Sequence, residues 1–344
     1  MARGRKLRIL VLLHEDLVPP ASIDGLSEAE VAPFKTEFDV TATLREMGHT
    51  VWPLGVGSDL SVIKSAVDRL NPDIAFNLLE EFDGVGVFDA HVVSYLEMIK
   101  LPYTGCNPRG LMLAHNKAVA KMICRYHRIN VPRFEVVPLG KNVKHTGKLK
   151  WPVIVKSLTE EGSVGISQAS IVHDPDKLAE RVAFVHRTIG TDAIVEQYID
   201  GRELYVGVLG NERLTTLPIW ELDFAKLRPD APRIATGRIK WDYKYQQQIG
   251  LESMAAGDLP DGLDRKIPHL CKRVFRALSL SGYARIDLRL TEAGKVYLLE
   301  ANPNPQLAYG EDFAESAEHS GMGYEAVLQK ILNLGLRYRL VGQA

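Results

Sequence analysis

The sequence has few cysteines. The three that it has, Cys106, Cys124 and Cys271, lie far apart in the chain. Their spacing matches no zinc-binding or redox-active pattern. Free thiols are typical of proteins in a reducing compartment, so we expect a cytoplasmic protein without disulfide bonds.

Long hydrophobic runs are also absent. No stretch approaches the ~20 apolar residues that cross a bilayer, so we expect no membrane partner. The apolar run near the N-terminus, Leu7–Leu13, is short and contains Arg8, and His14 and two acidic residues follow it instead of a small-residue cleavage site. This pattern predicts a first buried strand rather than a signal peptide.

Neither sign of charge dominates the chain. Lysine and arginine number 42, aspartate and glutamate number 43, and the formal net charge is −1. Nucleic-acid-binding proteins usually show a basic excess or a basic stripe, so we expect no nucleic-acid partner. No G-x-G-x-x-G motif follows the first strand, which argues against a dinucleotide-dependent dehydrogenase.

Strand and helix patterns alternate over the first ~100 residues, which predicts an α/β arrangement with a parallel sheet. At 344 residues the chain is long for one core, so we expect two or three domains. The pattern changes around Cys106–Leu113, and antiparallel strands with helices, an α+β arrangement, are predicted after it. Strands are predicted at Leu7–Leu13, 49–56, Pro72–Asn77, Phe134–Pro138, Trp151–Lys156, from Ile166, at Ala193–Tyr198 and in a hairpin over 201–222, and helices at Glu37–Met47, Ser61–Leu70, Asp89–Ile99, His115–Arg128, Asp176–Thr188, Leu263–Leu278 and Tyr324–Leu336.

A hairpin near the C-terminus carries the most informative acidic residues. Alternation over 283–302 places Arg285 and Asp287 on one face of the first strand, and Glu300 and Asn302 on one face of the return strand. Folding the hairpin brings Asp287 close to Glu300. Two carboxylates at that distance repel unless a cation lies between them, and Mg²⁺ takes such oxygen ligands together with nucleotide phosphates. An ordinary hairpin with a polar outer face fits the same pattern, so both interpretations stay open at this point.

A second group of residues is compatible with a nucleotide site. Lys156 ends a predicted strand, and the small residues Gly162, Ser163 and Gly165 follow in a loop whose backbone N–H groups could approach a polyphosphate. A plain turn has the same composition. The other candidates are polar and apolar residues of a predicted helix and of the run IVEQYIDGRE: Lys117, Glu196, Gln197, Ile199 and Glu203.

These motifs occur in a specific order, and together they resemble the ATP-grasp superfamily and, within it, the D-alanine–D-alanine ligases. The resemblance runs from about Pro72 to Leu336. It depends on Lys117, VIVK ending at Lys156, the EEGSVG loop, VEQYIDGRE, ARID ending at Asp287 and LLEAN ending at Asn302. It implies a three-domain architecture with a Rossmann-like domain at 1–112, a central lid domain at 113–197 and a catalytic domain at 198–344, with ATP held between the last two.

The resemblance also implies a role for each motif. Lys117 and Lys156 would contact ATP, Glu196, Gln197 and Ile199 would line adenine, and Glu203 would bind ribose. Asp287, Glu300 and Asn302 would hold two Mg²⁺ ions, with Mn²⁺ as an alternative. Arg285 would stabilise the acyl phosphate and the tetrahedral state, and Ser163, Lys244 and Tyr245 match catalytic positions of the family. The implied reaction phosphorylates a carboxylate and then forms an amide with an amine. A homodimer is implied as well.

The sequence departs from the family pattern at the amino-acid end of the site. Gly162 occupies the place of a serine that orients the family's substrate-binding glutamate, and the N-terminal glycine-rich motif carrying that glutamate is absent. Glu30 or Glu37 would have to replace it. The segment PNPQLAYG after Asn302 replaces a run bearing Ser or Thr.

Three functional hypotheses follow. The first is an ATP-dependent ligase that joins an amino acid or a related small carboxylate to a second amine, with a substrate pair other than two D-alanines. The second is a D-alanine–D-alanine ligase with diverged specificity loops. The third is a nucleotide-binding module that no longer catalyses, which the presence of Arg285 beside the acidic residues argues against.

Overall fold

The structure is a computed structural model that describes residues 5–143, 147, 149–160, 164–224 and 252–339. Within them the strands form three sheets. None of the helices in these ranges is both long enough and apolar enough to cross a membrane.

The N-terminal part is a parallel sheet of order β2-β1-β3. Its central strand is an apolar run buried on both faces, as a parallel sheet with helices on both sides requires. The carboxyl ends of its strands meet at one edge, where ligands bind in sheets of this kind. The strands are β1 Arg8–His14, β2 Thr50–Val56 and β3 Ile74–Asn77, and the helices are α1 Glu28–Val31, α2 Lys35–Glu46, α3 Ser61–Leu70 and α4 Asp89–Met98.

The central part is an antiparallel sheet of order β4-β7-β5-β6, which has a hydrophobic cluster of its own. A π-helical turn, Val185–Ile189, extends the helix that packs on this sheet. The elements are α5 Pro108–His115, α6 Lys117–Tyr126, β4 Phe134–Val137, β5 Val153–Ser157, β6 Ile171–Val172, α7 Pro175–Phe184 and β7 Ala193–Gln197.

The C-terminal part is an antiparallel sheet of order β10-β9-β8-β11-β12. Its core is continuous with that of the N-terminal sheet, because Leu10 and Leu12 belong to the same cluster as Ile286 and Leu288. The elements are β8 Arg202–Leu209, β9 Thr215–Asp223, β10 Glu252–Ala255, α8 Leu263–Ala277, β11 Tyr283–Leu290, β12 Val296–Pro303, α9 Asp312–His319 and α10 Tyr324–Arg337.

Most predicted elements are confirmed within two or three residues, one strand begins later than predicted, and the elements α1, α5, β10 and α9 were not predicted. The strand predicted from Ile166 begins at Ile171, because Gly165 has a φ of 68° and a 3-10 turn, Gln168–Ser170, follows it. Helix α5 occupies the region where only a change of pattern was predicted. Helix α9, which follows the PNPQLAYG segment, was not predicted.

Candidate active site

One face of the C-terminal sheet brings the acidic and basic candidates together. Strand β11 pairs with β12 on one side and with β8 on the other, both antiparallel. Asp287 lies directly opposite Glu300, and Arg285 lies opposite Asn302, so the predicted geometry of the hairpin is confirmed. The face is not a solvated outer surface, because Asp287 is only 3% exposed. Burial of Asp287 favours the interpretation of this face as a site, and the assignment of a metal ion to it stays a prediction.

The Arg285 guanidinium is held on three sides. Its Nε and one terminal nitrogen donate to the two carboxylate oxygens of Asp287 at 2.8 and 2.9 Å. The guanidinium carbon lies 4.5 Å from the centre of the Tyr205 ring, and its second terminal nitrogen lies 3.9 Å from Asp312. Burial opposes the charge, but Asp287 outweighs it and raises the pKa of Arg285 well above its ordinary value. The guanidinium therefore carries a permanent charge.

Asp287, Glu300 and Asn302 form a set of oxygen-bearing side chains. The Asn302 amide nitrogen donates to Asp287 at 2.9 Å, and Glu300 lies across the strand pair from Asp287. In the described ranges no group of three His, Cys, Asp or Glu side chains is close enough to hold a metal ion. Two carboxylates and an amide oxygen are nevertheless hard ligands that fit Mg²⁺, which usually takes its other ligands from substrate phosphates and water. The donor set thus fits the ion as a partial site.

Glu203 and Arg289 form a buried pair on the same face. Arg289 donates to one oxygen of Glu203 at 2.7 Å, and the hydroxyl of Tyr205 donates to the other at 2.8 Å. Arg289 lies opposite Glu203 in the register of β11 and β8. Because a carboxylate accepts about four hydrogen bonds, Glu203 keeps acceptor capacity for a ligand hydroxyl.

A cluster of buried lysines surrounds Glu196 on the central sheet. Lys121 and Lys156 lie 3.1 and 3.5 Å from its two carboxylate oxygens. Although burial opposes ionisation, the two ammonium groups hold the pKa of Glu196 below its ordinary value. Despite burial, Glu196 and then Glu300 raise the pKa of Lys156. Burial lowers the pKa of Lys121, although Glu196 opposes this effect. The cluster thus combines charged groups of both signs near Glu300.

Lys121 was not among the predicted site residues. It lies one helical turn after Lys117 on α6, is 2% exposed, and also donates to the carbonyl of Leu299, the residue before Glu300. It therefore connects α6, β7 and β12. Helical spacing could have placed Lys117 and Lys121 on one face, but that spacing contains no information about a partner on another strand.

The other predicted nucleotide residues lie at the edges of these elements. The Lys117 ammonium donates to the carbonyl of Glu160 at 2.6 Å, immediately before the glycine-serine loop. Gln197 ends β7, and Ile199 is buried in the connection to β8. The predicted catalytic residues Ser163, Lys244 and Tyr245 lie outside the described residues, as does Gly162.

The segment after Asn302 is fixed against the N-terminal part of the chain. The Asn304 side chain accepts a hydrogen bond from the backbone N–H of Cys106 at 2.8 Å. The backbone N–H of Tyr309 donates to Asp39 at 2.9 Å, and Lys35 donates to both Asp39 and the Tyr309 carbonyl at 2.6 Å. The segment that replaces the Ser/Thr-bearing run is therefore in contact with α2, the helix that carries Glu37.

The two candidate substrate glutamates differ in their environment. Glu30 is exposed and accepts hydrogen bonds from the backbone and hydroxyl of Ser27, as a capping box for α1. Glu37 lies in the first turn of α2, is 7% exposed, and among the described residues no side chain pairs with it. Burial raises the pKa of Glu37 to about 7.

Comparisons with known proteins identify the family of the chain. The family model for the D-ala D-ala ligase C-terminus matches residues 123–333. A D-alanine–D-alanine ligase of Geobacter sulfurreducens is 30% identical over 311 residues, which cover 90% of each chain. The uncharacterized protein y4sG of Sinorhizobium fredii is 30% identical over 305 residues, which cover 87% of this chain and 86% of that one.

A solved structure supports the same fold. The D-alanine–D-alanine ligase of Bacillus anthracis complexed with ATP superposes with a TM-score of 0.75 at 22% identity, and covers 96% of this chain and 98% of its own. The predicted α/β fold class with the ATP-grasp architecture is therefore confirmed. The chain belongs to the D-alanine–D-alanine ligase family of ATP-grasp enzymes, and it is an ATP-dependent carboxylate–amine ligase.

Proposed function

We propose that this ligase activates the carboxylate of an amino acid as an acyl phosphate and joins it to an amine, with release of ADP and phosphate. The observation that carries the proposal is the single buried face of β11 and β12, on which Arg285, Asp287, Glu300 and Asn302 lie opposite one another. A fixed cation next to a partial metal site suits a reaction in which negative charge builds on a transferring phosphoryl group.

We assign the metal site to Asp287, Glu300 and Asn302. Bound there, Mg²⁺ would neutralise charge on the ATP phosphates. Lys117 and Lys156 contribute further positive charge toward the phosphates, and Lys156 also faces the adenine side. Glu196, Gln197 and Ile199 are assigned to adenine and Glu203 to ribose.

Arg285 is assigned to the acyl phosphate and to the tetrahedral state formed when the amine attacks. The amine nitrogen bonds to the carbonyl carbon, phosphate leaves with the electron pair of the broken C–O bond, and the nitrogen loses a proton. Ser163, Lys244 and Tyr245 are assigned to the same region on the strength of the family resemblance.

The substrate end favours a partner other than a second D-alanine. The PNPQLAYG segment buries Leu307 and Ala308 and is bonded to α2 through Tyr309, so the family's Ser/Thr-bearing run has no counterpart there. We assign the substrate ammonium to Glu37, because it is buried and has no side-chain partner within the residues that the structure describes, whereas Glu30 caps its own helix. A buried carboxylate gains most from a cation that the substrate supplies.

D-alanine–D-alanine ligase itself is the second candidate. It is supported by relatives of that name, which are 27–30% identical to this chain over most of their length. The non-catalytic module is the third candidate.

The partners that we propose are small molecules. Three buried free thiols suit a reducing, cytoplasmic setting. The balanced charge of the chain suits a protein that binds no nucleic acid, and the family resemblance suggests a homodimer.

A substrate screen tests these candidates. ADP and phosphate release is measured with Mg-ATP against single amino acids and pairs of both enantiomers, with hydroxylamine as a general acceptor that traps acyl phosphates. Release that needs an amino acid other than D-alanine supports the first candidate, and release with D-alanine alone supports the second. If no carboxylate causes release of ADP and phosphate, even with hydroxylamine as the acceptor, the non-catalytic module is supported.

Two variants locate the ammonium site. We expect Glu37→Gln to raise the KM for the amino-acid substrate about tenfold or more, because a buried charge partner is lost. Glu30→Gln is the matched control and should leave the KM unchanged. A KM that rises in the Glu30 variant and not in the Glu37 variant would reverse the assignment.

A further inference from the structure

Tyr205 has no role in the assignments above, yet it lies at the centre of the site. It is on β8, directly opposite Asp287 of β11, and is 3% exposed. Glu203 precedes it by two residues and so lies on the same face of the strand. The residue therefore lies between the proposed ribose acid and the proposed metal and transition-state groups.

The two ends of the Tyr205 side chain contact different parts of the proposed machinery. Its hydroxyl donates to Glu203 at 2.8 Å, and its ring lies 4.5 Å from the guanidinium carbon of Arg285. Burial, reinforced by the charge of Glu203, raises the pKa of Tyr205 well above its ordinary value. The hydroxyl therefore remains a donor, and the ring remains a neutral surface for the cation.

The Tyr205 ring is a neutral contact of Arg285, whereas the other contacts of the guanidinium are charged. These charged contacts are with Asp287, at 2.8 and 2.9 Å, and with Asp312, at 3.9 Å. Asp287 is also a proposed metal ligand, and a divalent ion on that carboxylate competes with the guanidinium for the same oxygens. An aromatic ring attracts a cation through its quadrupole without offering a ligand to Mg²⁺.

We propose that Tyr205 is a positioning residue that holds Arg285 in place when Asp287 binds the metal ion, and that orients Glu203 through its hydroxyl. The inference rests on the proposed function. It divides one side chain into two separable parts: the ring acts on the acyl-transfer step through Arg285, and the hydroxyl acts on nucleotide binding through Glu203.

Substitutions at Tyr205 separate the two parts. Tyr205→Phe keeps the ring, so we expect the KM for ATP to rise about threefold to tenfold while kcat stays within about twofold. Tyr205→Met fills much of the space without a ring, so we expect kcat to fall by about 10- to 30-fold as well. Phenylalanine thus rescues kcat relative to methionine. Phenylalanine and methionine variants with the same kcat would overturn the proposal.

A matched control comes from the same hairpin. Lys295 lies 4.7 Å from the ring centre of Tyr297, which is a cation–aromatic contact of similar geometry at the other end of β12. Tyr297→Met should leave kcat and the KM for ATP unchanged. A loss of kcat equal to that of Tyr205→Met would mean that any such contact in the sheet has the same effect, and it would contradict the proposal.

Two further measurements keep the test independent of turnover and of folding. The Mg²⁺ concentration that gives half of the thermal stabilisation by a non-hydrolysable ATP analogue should rise about threefold or more in Tyr205→Met, because Arg285 then depends on the carboxylates of Asp287 and the more distant Asp312 and competes more strongly with the ion for Asp287. An unchanged requirement would overturn the proposal even if the chain proved inactive on every carboxylate. If the methionine variant fails to fold, pentafluorophenylalanine at position 205 reverses the ring quadrupole at nearly constant shape, and it should lower kcat where phenylalanine does not.

Discussion

The nucleotide end and the substrate end of the site are built in opposite ways. On β8, β11 and β12 the charged groups are matched within the chain, as in the contacts of Arg285 with Asp287 and of Arg289 with Glu203. At the substrate end, Glu37 is buried, and no side chain in the described part of the protein pairs with it. A matched network holds one geometry, whereas an unmatched buried carboxylate costs free energy until a ligand supplies the opposite charge. The matched charges at the nucleotide end therefore hold the reacting groups in one geometry, whereas the buried Glu37 at the substrate end is proposed to select a substrate that carries a positive charge.

The largest expected effect lies at the nucleotide end. Glu300→Gln removes a charged ligand from the proposed metal site, so we expect kcat to fall at least about a thousandfold while the fold is retained. Steady-state ADP release measures this change. Glu292→Gln, in the exposed turn of the same hairpin, is the control and should leave kcat unchanged. Unchanged turnover in the Glu300 variant would contradict the assignment of the hairpin.

Lys121→Met tests how much the buried ion pairs of Glu196 stabilise the fold. It leaves the buried Glu196 carboxylate with Lys156, at 3.5 Å, as its one remaining cationic partner among the described residues, so we expect the free energy of unfolding to fall by about 3 kcal/mol. Urea unfolding measures the change. Lys64→Met breaks an exposed ion pair with Asp68 on α3 and should cost less than about 0.5 kcal/mol. Equal losses in the two variants would mean that the buried network stabilises no more than a surface pair.

The pH dependence of stability tests the unmatched end. The pKa of Glu37 is about 7 in the folded chain against 4.5 ordinarily, so the folded chain binds the proton more tightly. Ionised Glu37 lowers the free energy of unfolding. This loss is absent below pH 4.5, grows as the pH rises from 4.5 to 7, and is constant above 7. We therefore expect Glu37→Gln to raise the free energy of unfolding by on the order of 2–3 kcal/mol at pH 8 and to leave it unchanged at pH 4. A variant less stable than the natural chain at pH 8 would show that Glu37 has a partner.

The smallest effect is expected at Glu30. Its hydrogen bonds to Ser27 lower its pKa, so its small contribution to stability is present at neutral pH and is lost as the solution becomes acidic. Glu30→Gln should therefore lower the melting temperature at neutral pH much less than Lys121→Met does, and this small loss should disappear as the pH falls through the folded-state pKa of Glu30. A fall in melting temperature as large as that of Lys121→Met would contradict the expectation that an exposed capping residue stabilises the fold less than a buried charge does.

Much of the nucleotide end could be predicted from the sequence, because strand alternation is local. The hairpin sequence alone indicated that Asp287 would lie across from Glu300. The contact of Arg285 with Tyr205 could not be predicted, since it depends on β8 lying beside β11, two strands that are not consecutive in the chain. Asp312 was missed for a related reason: it begins α9, which was not predicted.

The substrate end was less predictable because its contacts join distant segments. Sequence left Glu30 and Glu37 as equal candidates, and only burial and hydrogen bonding separate them. The contact of Tyr309 with Asp39 likewise joins a loop to a helix of another sheet. Periodicity reports which face a residue lies on, but it does not report which element covers that face.

Isotope transfer from the carboxylate tests the central claim most directly. The chain is incubated with Mg-ATP, an amine and an amino acid whose carboxylate oxygens are ¹⁸O, and the released phosphate is analysed by mass spectrometry. Activation as an acyl phosphate predicts one ¹⁸O atom in each phosphate from the natural chain, and loss of labelled phosphate in Glu300→Gln. Release of unlabelled phosphate together with amide formation would contradict the account, because the carboxylate would then not have attacked ATP at its terminal phosphate.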